Sequence, residues 1–205
     1  LVAVGDRVYV TLGIEGPVSV LDAATGKTLA TYEGTEGTRE ILCDEGKLYL
    51  VAGEPGTGDV GVRSRKPGER PGLAAVFPQR PGYPEKPPKK RLIVLDAATG
   101  EVLWKKDDAE TTELMPVTLA VSDGRLYFQN PDEILCLEAA TGKEVWQALR
   151  PVARDRLSWT APTLVVYNGV VLSADRAAPE EPAEDAEGRQ VHWITGAVWE
   201  TFWWV

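Results

Sequence analysis

An all-β fold of repeated four-stranded sheets is what this sequence predicts, and three observations carry the prediction. An acidic-Ala-Ala-Thr-Gly turn occurs as LDAATGK at 21–27, LDAATGE at 95–101 and LEAATGK at 137–143. A polar-Gly turn followed by apolar alternation occurs at GDRVYV 5–10, EGKLYL 45–50, DGRLYF 123–128 and NGVVLS 168–173. Both motifs keep a period near 42 residues, the third observation, and a shared period marks an internal repeat. Asp96 and Glu138 stand 42 residues apart, Gly5 and Gly46 stand 41 apart, and Gly124 and Gly169 stand 45 apart. Asp22 and Asp96 are 74 apart; the excess is matched by residues 54–91, which hold eight of the 15 prolines and six glycines.

Within a unit the elements follow from turn chemistry. In the third unit VTLAVS is a strand, Asp-Gly a tight hairpin turn and RLYFQ the returning strand. EILCLE is the next strand, AATG the turn and KEVWQA the last strand. Gly26, Gly100 and Gly142 take the position of positive φ, which other residues enter only at a cost. Asp22 and Asp96 accept from backbone N–H groups just ahead, as in an Asx turn. The strands before these turns, VSVL, LIVL and ILCL, are continuously apolar and need cover on both faces. Sheets stacked face to face about an axis give that cover, and a period near 42 is one blade of a β-propeller. The units read as about 1–40, 41–107, 117–148 and 159–205 of a single region, 1–205. That makes about four blades, an arc or part of a 7–8-bladed ring. Trp104 and Trp146 stand four residues after the turn glycine, where an indole fills the gap between blades. The first unit has Ala30 there, so its contact is expected to be weaker.

Composition narrows the partners. The net charge of −9 argues against general nucleic-acid binding and against an anionic membrane surface. Cys43 and Cys136 have no metal or redox spacing and read as small buried hydrophobes, with a bridge possible in an oxidising compartment. No apolar run is long enough for a membrane-spanning helix. The chain shows no signal peptide, begins inside a strand pattern and ends abruptly, so both ends read as cut.

Asp96, Thr99, Gly100 and Trp104 in one copy, and Thr141, Gly142 and Trp146 in another, resemble the Ala-x-Asp-x-x-Thr-Gly-x-x-x-Trp signature of the quinoprotein-like (PQQ-like) β-propeller repeats. Asp22, Thr25 and Gly26 match without the tryptophan. The resemblance covers about three blades and part of a fourth. One branch of that family, the quinone-dependent dehydrogenases, implies pyrroloquinoline quinone, calcium, a vicinal disulfide and an Asp base. This chain has no adjacent cysteines and one histidine, His192, read as a strand residue; Asn130 and Asn168 sit beside turns. The resemblance therefore implies the non-catalytic branch, similar to the propeller lipoprotein of the outer-membrane β-barrel assembly machinery (BamB-like). No catalytic, cofactor-binding or metal-binding residue is assigned, and no cofactor is expected. The expected role is a scaffold for protein partners, in bacterial outer-membrane assembly and a periplasmic or envelope setting. The open blade ends allow self-association. Two alternatives stand: a sensory or ligand-binding domain of a larger protein, and a fragment of a PQQ-dependent dehydrogenase.

Two segments depart from the repeat. Residues 54–91 carry nine Lys/Arg against four Asp/Glu and are expected to form a long exposed loop; with Phe77 and Tyr83 it suits an acidic partner or a nucleic-acid backbone, or it is a tolerated insertion. Residues 176–190 form an acidic, alanine-rich linker. The ending VHWITGAVWETFWWV holds four of the seven tryptophans and reads as a degenerate strand pair, or as an aromatic docking surface.

Overall fold

A computed structural model of the chain describes residues 1–13, 15–54, 89–115, 117–152 and 162–175. Residues 55–88, the acidic linker, His192 and the tryptophan-rich ending lie outside the described residues. Three four-stranded antiparallel sheets and one two-stranded sheet follow one another along the chain. The first holds β1 (Val2–Val4), β2 (Arg7–Thr11), β3 (Val18–Asp22) and β4 (Thr28–Tyr32). The second holds β5 (Thr38–Asp44), β6 (Lys47–Gly53), β7 (Lys90–Asp96) and β8 (Val102–Lys106). A single helical turn, α1 (Ala109–Thr112), then leads to the third sheet. That sheet holds β9 (Ala120–Ser122), β10 (Arg125–Gln129), β11 (Glu133–Glu138) and β12 (Glu144–Leu149). A hairpin of β13 (Thr163–Tyr167) and β14 (Val170–Ala174) ends the described chain. Strand order follows sequence order in every sheet, and the first strands β1, β5, β9 and β13 neighbour one another in turn. The chain is an open arc of a β-propeller.

Strand alternation explains why the arc is stacked. In the second sheet Leu48, Leu50, Ala52, Ile93 and Leu95 face the first sheet, packing with Tyr9, Val18, Val20 and Tyr32. Tyr49, Val51, Leu92 and Val94 face the other way, against Leu126, Phe128, Leu135 and Leu137 of the third sheet. Tyr127, Ile134 and Cys136 then face Leu164 and Val171 of the hairpin. A strand with both faces buried cannot alternate apolar with polar, so these runs are continuously apolar. Each such side chain contributes about 1.5–3 kcal/mol on burial.

The turns repeat to the level of single hydrogen bonds. Thr25 N–H donates to Asp22 Oδ1 at 2.7 Å and Gly26 N–H to the Asp22 carbonyl at 2.8 Å. Thr99 and Gly100 do the same to Asp96, both at 2.8 Å. Both carboxylates are held below their usual range, Asp22 by the Thr25 hydroxyl and then its N–H, and Asp96 by the Thr99 N–H and then its hydroxyl. Across the strands Arg7 stands opposite Asp22, Lys47 opposite Asp96 and Arg125 opposite Glu138, a favourable charge pair per blade.

The blades are joined by an aromatic side chain laid on the next blade's turn glycine. Trp104 lies on Gly142 and donates Nε1–H to the Ala139 carbonyl at 3.0 Å. At the preceding junction the sequence expects little, because Ala30 stands at the tryptophan offset. The structure corrects this: Tyr32, two residues on and therefore on the same strand face, covers Gly100. Its hydroxyl donates to the Ala97 carbonyl at 2.8 Å, and the Tyr9 hydroxyl donates to the same carbonyl at 3.0 Å. Trp146 lies at the third junction, partly buried beside Tyr127 with ring centroids 6.0 Å apart.

A methyl on Gly142 would stand 2.8 Å from the Trp104 ring, whereas one on Gly26, the same turn position in the first blade, meets nothing within 4 Å. Both glycines have similar φ, +72° and +70°. We expect Gly26→Ala to cost only the left-handed penalty of about 1–2 kcal/mol. Gly142→Ala adds about 1–3 kcal/mol for the ring it displaces. Denaturant unfolding of both variants measures the difference; equal costs would mean the ring does not hold the junction.

Candidate functional site

A glycine-containing turn joins the first two strands of each sheet, and the Thr-Gly turns join the last two strands of the three four-stranded sheets at the same end, leaving the opposite end to the connections between second and third strands and between blades. The insertion leaves the second sheet on that opposite face. Its ends are tied together, Glu54 N–H to the Lys89 carbonyl at 3.1 Å and Lys90 paired with Gly53. Gly53 N–H donates in turn to the Gly37 carbonyl at 2.9 Å. A Cβ on Gly37, at φ +74°, would lie 2.6 Å from the Gly53 carbonyl oxygen, so only glycine fits.

Beside this root, between the second and third sheets, is a cavity of about 190 Å³ lined by Arg39, Glu40, Val51, Lys90 and Val117. Consecutive positions on β5 supply Arg39 and Glu40, and the first residue of β7 supplies Lys90. Arg39 is exposed, and its Nε lies 3.3 Å from where a Cβ on Gly53 would be. Lys90 donates Nζ–H to the Leu114 carbonyl, bridging the second sheet to the crossover that follows α1. Glu40 Oε2 accepts from Val117 N–H at 3.1 Å, and Leu119 N–H also faces the carboxylate. Burial pushes the Glu40 carboxyl up, opposed by those N–H groups and by Lys90.

Val117 is held at φ +62° while 64% exposed. A β-branched residue there is strained by about 1–3 kcal/mol, and the Glu40 bond helps hold it. The strain also corrects a strand boundary. VTLAVS reads as one strand from Val117, but β9 begins only at Ala120, because Thr118 turns inward and its hydroxyl donates to the Met115 carbonyl at 2.8 Å.

The other residues singled out by sequence are dispersed. Cys43 faces the first sheet and Cys136 faces the hairpin, both as free thiols. Asn130 caps a turn, its Oδ1 accepting from Asp132 and Glu133 N–H at 2.9 Å each. Asn168 takes positive φ in the β13–β14 turn. Phe77 and Tyr83 lie outside the described residues. Among the described residues no three His, Cys, Asp or Glu side chains converge as metal ligands. What the cavity offers is recognition: apolar lining from Val51 and Val117 beside the charged groups of Arg39, Lys90 and Glu40. Its residues carry no repeat motif, since repeat residues build blades and this site lies where the repeat is broken; the insertion's position is the one signal in the sequence that points toward it.

Because the folded Glu40 carboxyl lies above its unfolded value, the native state takes up its proton first as pH falls. The wild type therefore gains stability relative to Glu40→Gln as pH drops from 7 toward 5. Glu40→Ala, which strips the acceptor from Val117 N–H, costs about 1–2 kcal/mol at pH 7. Denaturant unfolding at both pH values checks both effects, and a wild-type-to-Gln difference independent of pH would contradict the first.

The family model described as outer membrane protein assembly factor BamB matches residues 1–193. No curated protein sequence matches the chain significantly. Among solved structures, quinohemoprotein alcohol dehydrogenase ADHIIG from Pseudomonas putida HK5 is 15% identical, with a TM-score of 0.51 over 85% of this chain and 27% of that one. Quinohemoprotein alcohol dehydrogenase from Comamonas testosteroni is 17% identical, with a TM-score of 0.47 over 83% and 31%. BamB from Moraxella catarrhalis is 18% identical, with a TM-score of 0.42 over 90% of this chain and 47% of that one. The chain spans less than half the length of each. At 15% identity the likeness to ADHIIG shows a shared fold, and a fold does not by itself fix a function. The match through residues 1–193, on sheets stacked in an open propeller arc, makes the chain a member of the outer membrane protein assembly factor BamB family.

Proposed function

We propose that the chain is a non-catalytic propeller scaffold that holds protein partners on the insertion face, in the bacterial envelope and in outer-membrane protein assembly. The observation that carries this reading is the rooting of the insertion. A long basic segment leaves the most deeply buried sheet, with its ends fixed by backbone hydrogen bonds, beside a cavity whose lining includes Arg39 and Lys90. Binding segments are commonly loops positioned by a rigid scaffold, and a site with Arg39 and Lys90 in its lining suits acidic or carboxylate-bearing segments. Family membership supports the same reading. No specific geometry favours the sensory domain or the dehydrogenase fragment over it.

The test is a chain in which residues 55–88 are replaced by a two-residue Asn-Gly turn, compatible with the Glu54–Lys89 pairing. In-cell cross-linking with mass spectrometry, run in parallel with wild type, reports the partners. The expected result is an unchanged circular dichroism spectrum and loss of the envelope-protein cross-links that map to the insertion face. Undiminished cross-links in the deletion variant would overturn the proposal. Dye-linked alcohol oxidation by the complete protein with pyrroloquinoline quinone and calcium would replace it with the dehydrogenase reading.

A further inference from the structure

The third junction, between β9–β12 and the β13–β14 hairpin, contains a polar arrangement that blade packing does not explain. Gln129, the last residue of β10, is fully buried. Its backbone N–H donates to Thr118 Oγ1 at 3.2 Å, its carbonyl accepts from Met115 N–H at 2.8 Å, and its Oε1 accepts from Ser173 Oγ at 2.6 Å. Among the described residues its Nε2 has no acceptor. Arg150, just past β12, is 4% exposed; Nη2–H donates to the Asp175 carbonyl at 3.3 Å, and among the described residues Nε has no acceptor. Among the described residues no carboxylate lies within ion-pair distance of this guanidinium.

Register brings the two groups to one place. Gln129 pairs with Ile134 and Ile134 with Ala148, so these three side chains share the face toward the hairpin. Arg150 lies two residues beyond Ala148 on the same side. The groups the two side chains reach, the Ser173 hydroxyl and the Asp175 backbone carbonyl, lie two residues apart in the chain, on β14 and just past its end. Two buried donors without acceptors thus lead to a single short stretch of chain.

We propose that this junction is a binding site for a small oxyanion of the carboxylate or phosphate class, held by Gln129 Nε2–H and the Arg150 guanidinium. A buried guanidinium without a counter-ion is among the costliest arrangements a fold can hold. Burial already works against its charged form, with the Asp175 charge only partly opposing it. A cation is repelled by Arg150. A water satisfies the amide but adds nothing to the partial compensation of the charge by Asp175. Two oxygens on one atom match the planar fork of a guanidinium, and the amide supplies a further donor. Ser173 fixes Gln129 by taking its Oε1, which leaves only the Nε2 end to face a ligand.

The experiment uses the full chain freed of oxyanions by dialysis into chloride buffer. Sodium acetate and inorganic phosphate are titrated in separate arms at matched ionic strength, read by thermal unfolding and calorimetry. A saturable rise in Tm with measurable heat is expected with one anion or both, and the responding arm identifies the anion. The apparent affinity is expected to fall at least tenfold in Arg150→Gln and in Gln129→Leu, and to hold in Lys27→Gln, which alters an exposed turn. If Arg150→Gln does not fold, line broadening of the anion's NMR signal by wild type, compared with Gln129→Leu, gives the same decision. No saturable response in either arm, an equal response in wild type and both junction variants, or electron density for a lone water between Gln129 and Arg150 would overturn the proposal.

Discussion

The structure depends on one recurring contact, an aromatic ring on β4 or β8 pressed against the turn glycine of the following blade. A sheet with two apolar faces is stable only while both neighbours stay in place, and hydrophobic packing alone does not fix how far one sheet slides over the next. The hydrogen bonds from Tyr32 and Tyr9 to Ala97, and from Trp104 to Ala139, provide that register. They meet the carbonyl three residues before the turn glycine in both blades. Recurrence of the Thr-Gly turn is thus a packing requirement as much as a hairpin one: the glycine bends the chain and leaves room for the ring.

The two ends of the sheets divide the work. The turn end is nearly invariant across the three four-stranded sheets, with the same bond from the turn glycine N–H to the acidic residue's carbonyl, the same positive-φ glycines and cross-strand charge pairs, and Asx-type bonds wherever that acidic residue is Asp. The opposite end is where blades differ. The second junction there carries the Glu40–Val117 clamp and the cavity at the insertion root, and the third carries the buried Gln129 and Arg150. Variation at one end of a rigid stack lets a repeat protein acquire binding sites without disturbing its blades.

How much of this the sequence reveals follows the same division. Period, hairpins and turn glycines are legible because they are local and repeated three or four times. Tyr32 escapes because a strict offset from Gly26 lands on Ala30; only strand parity shows that a residue two further on faces the same way. The cavity escapes more completely. Glu40 meets Val117 across 77 positions of sequence, and neither belongs to a motif. Gln129 reads as the polar end of an apolar strand, and Arg150 as a surface residue beyond one. Their burial comes from a hairpin more than twenty residues away, which no local pattern encodes.

Native-state hydrogen exchange on Trp104→Ala, compared with wild type, tests the central contact most directly. If the ring couples the second and third sheets, amides of β6, β7, β10 and β11 lose protection together in the variant, while the junction held by Tyr32 keeps the first sheet's protection close to wild type. A uniform loss across all three sheets, or no loss beyond β8 itself, would contradict the account.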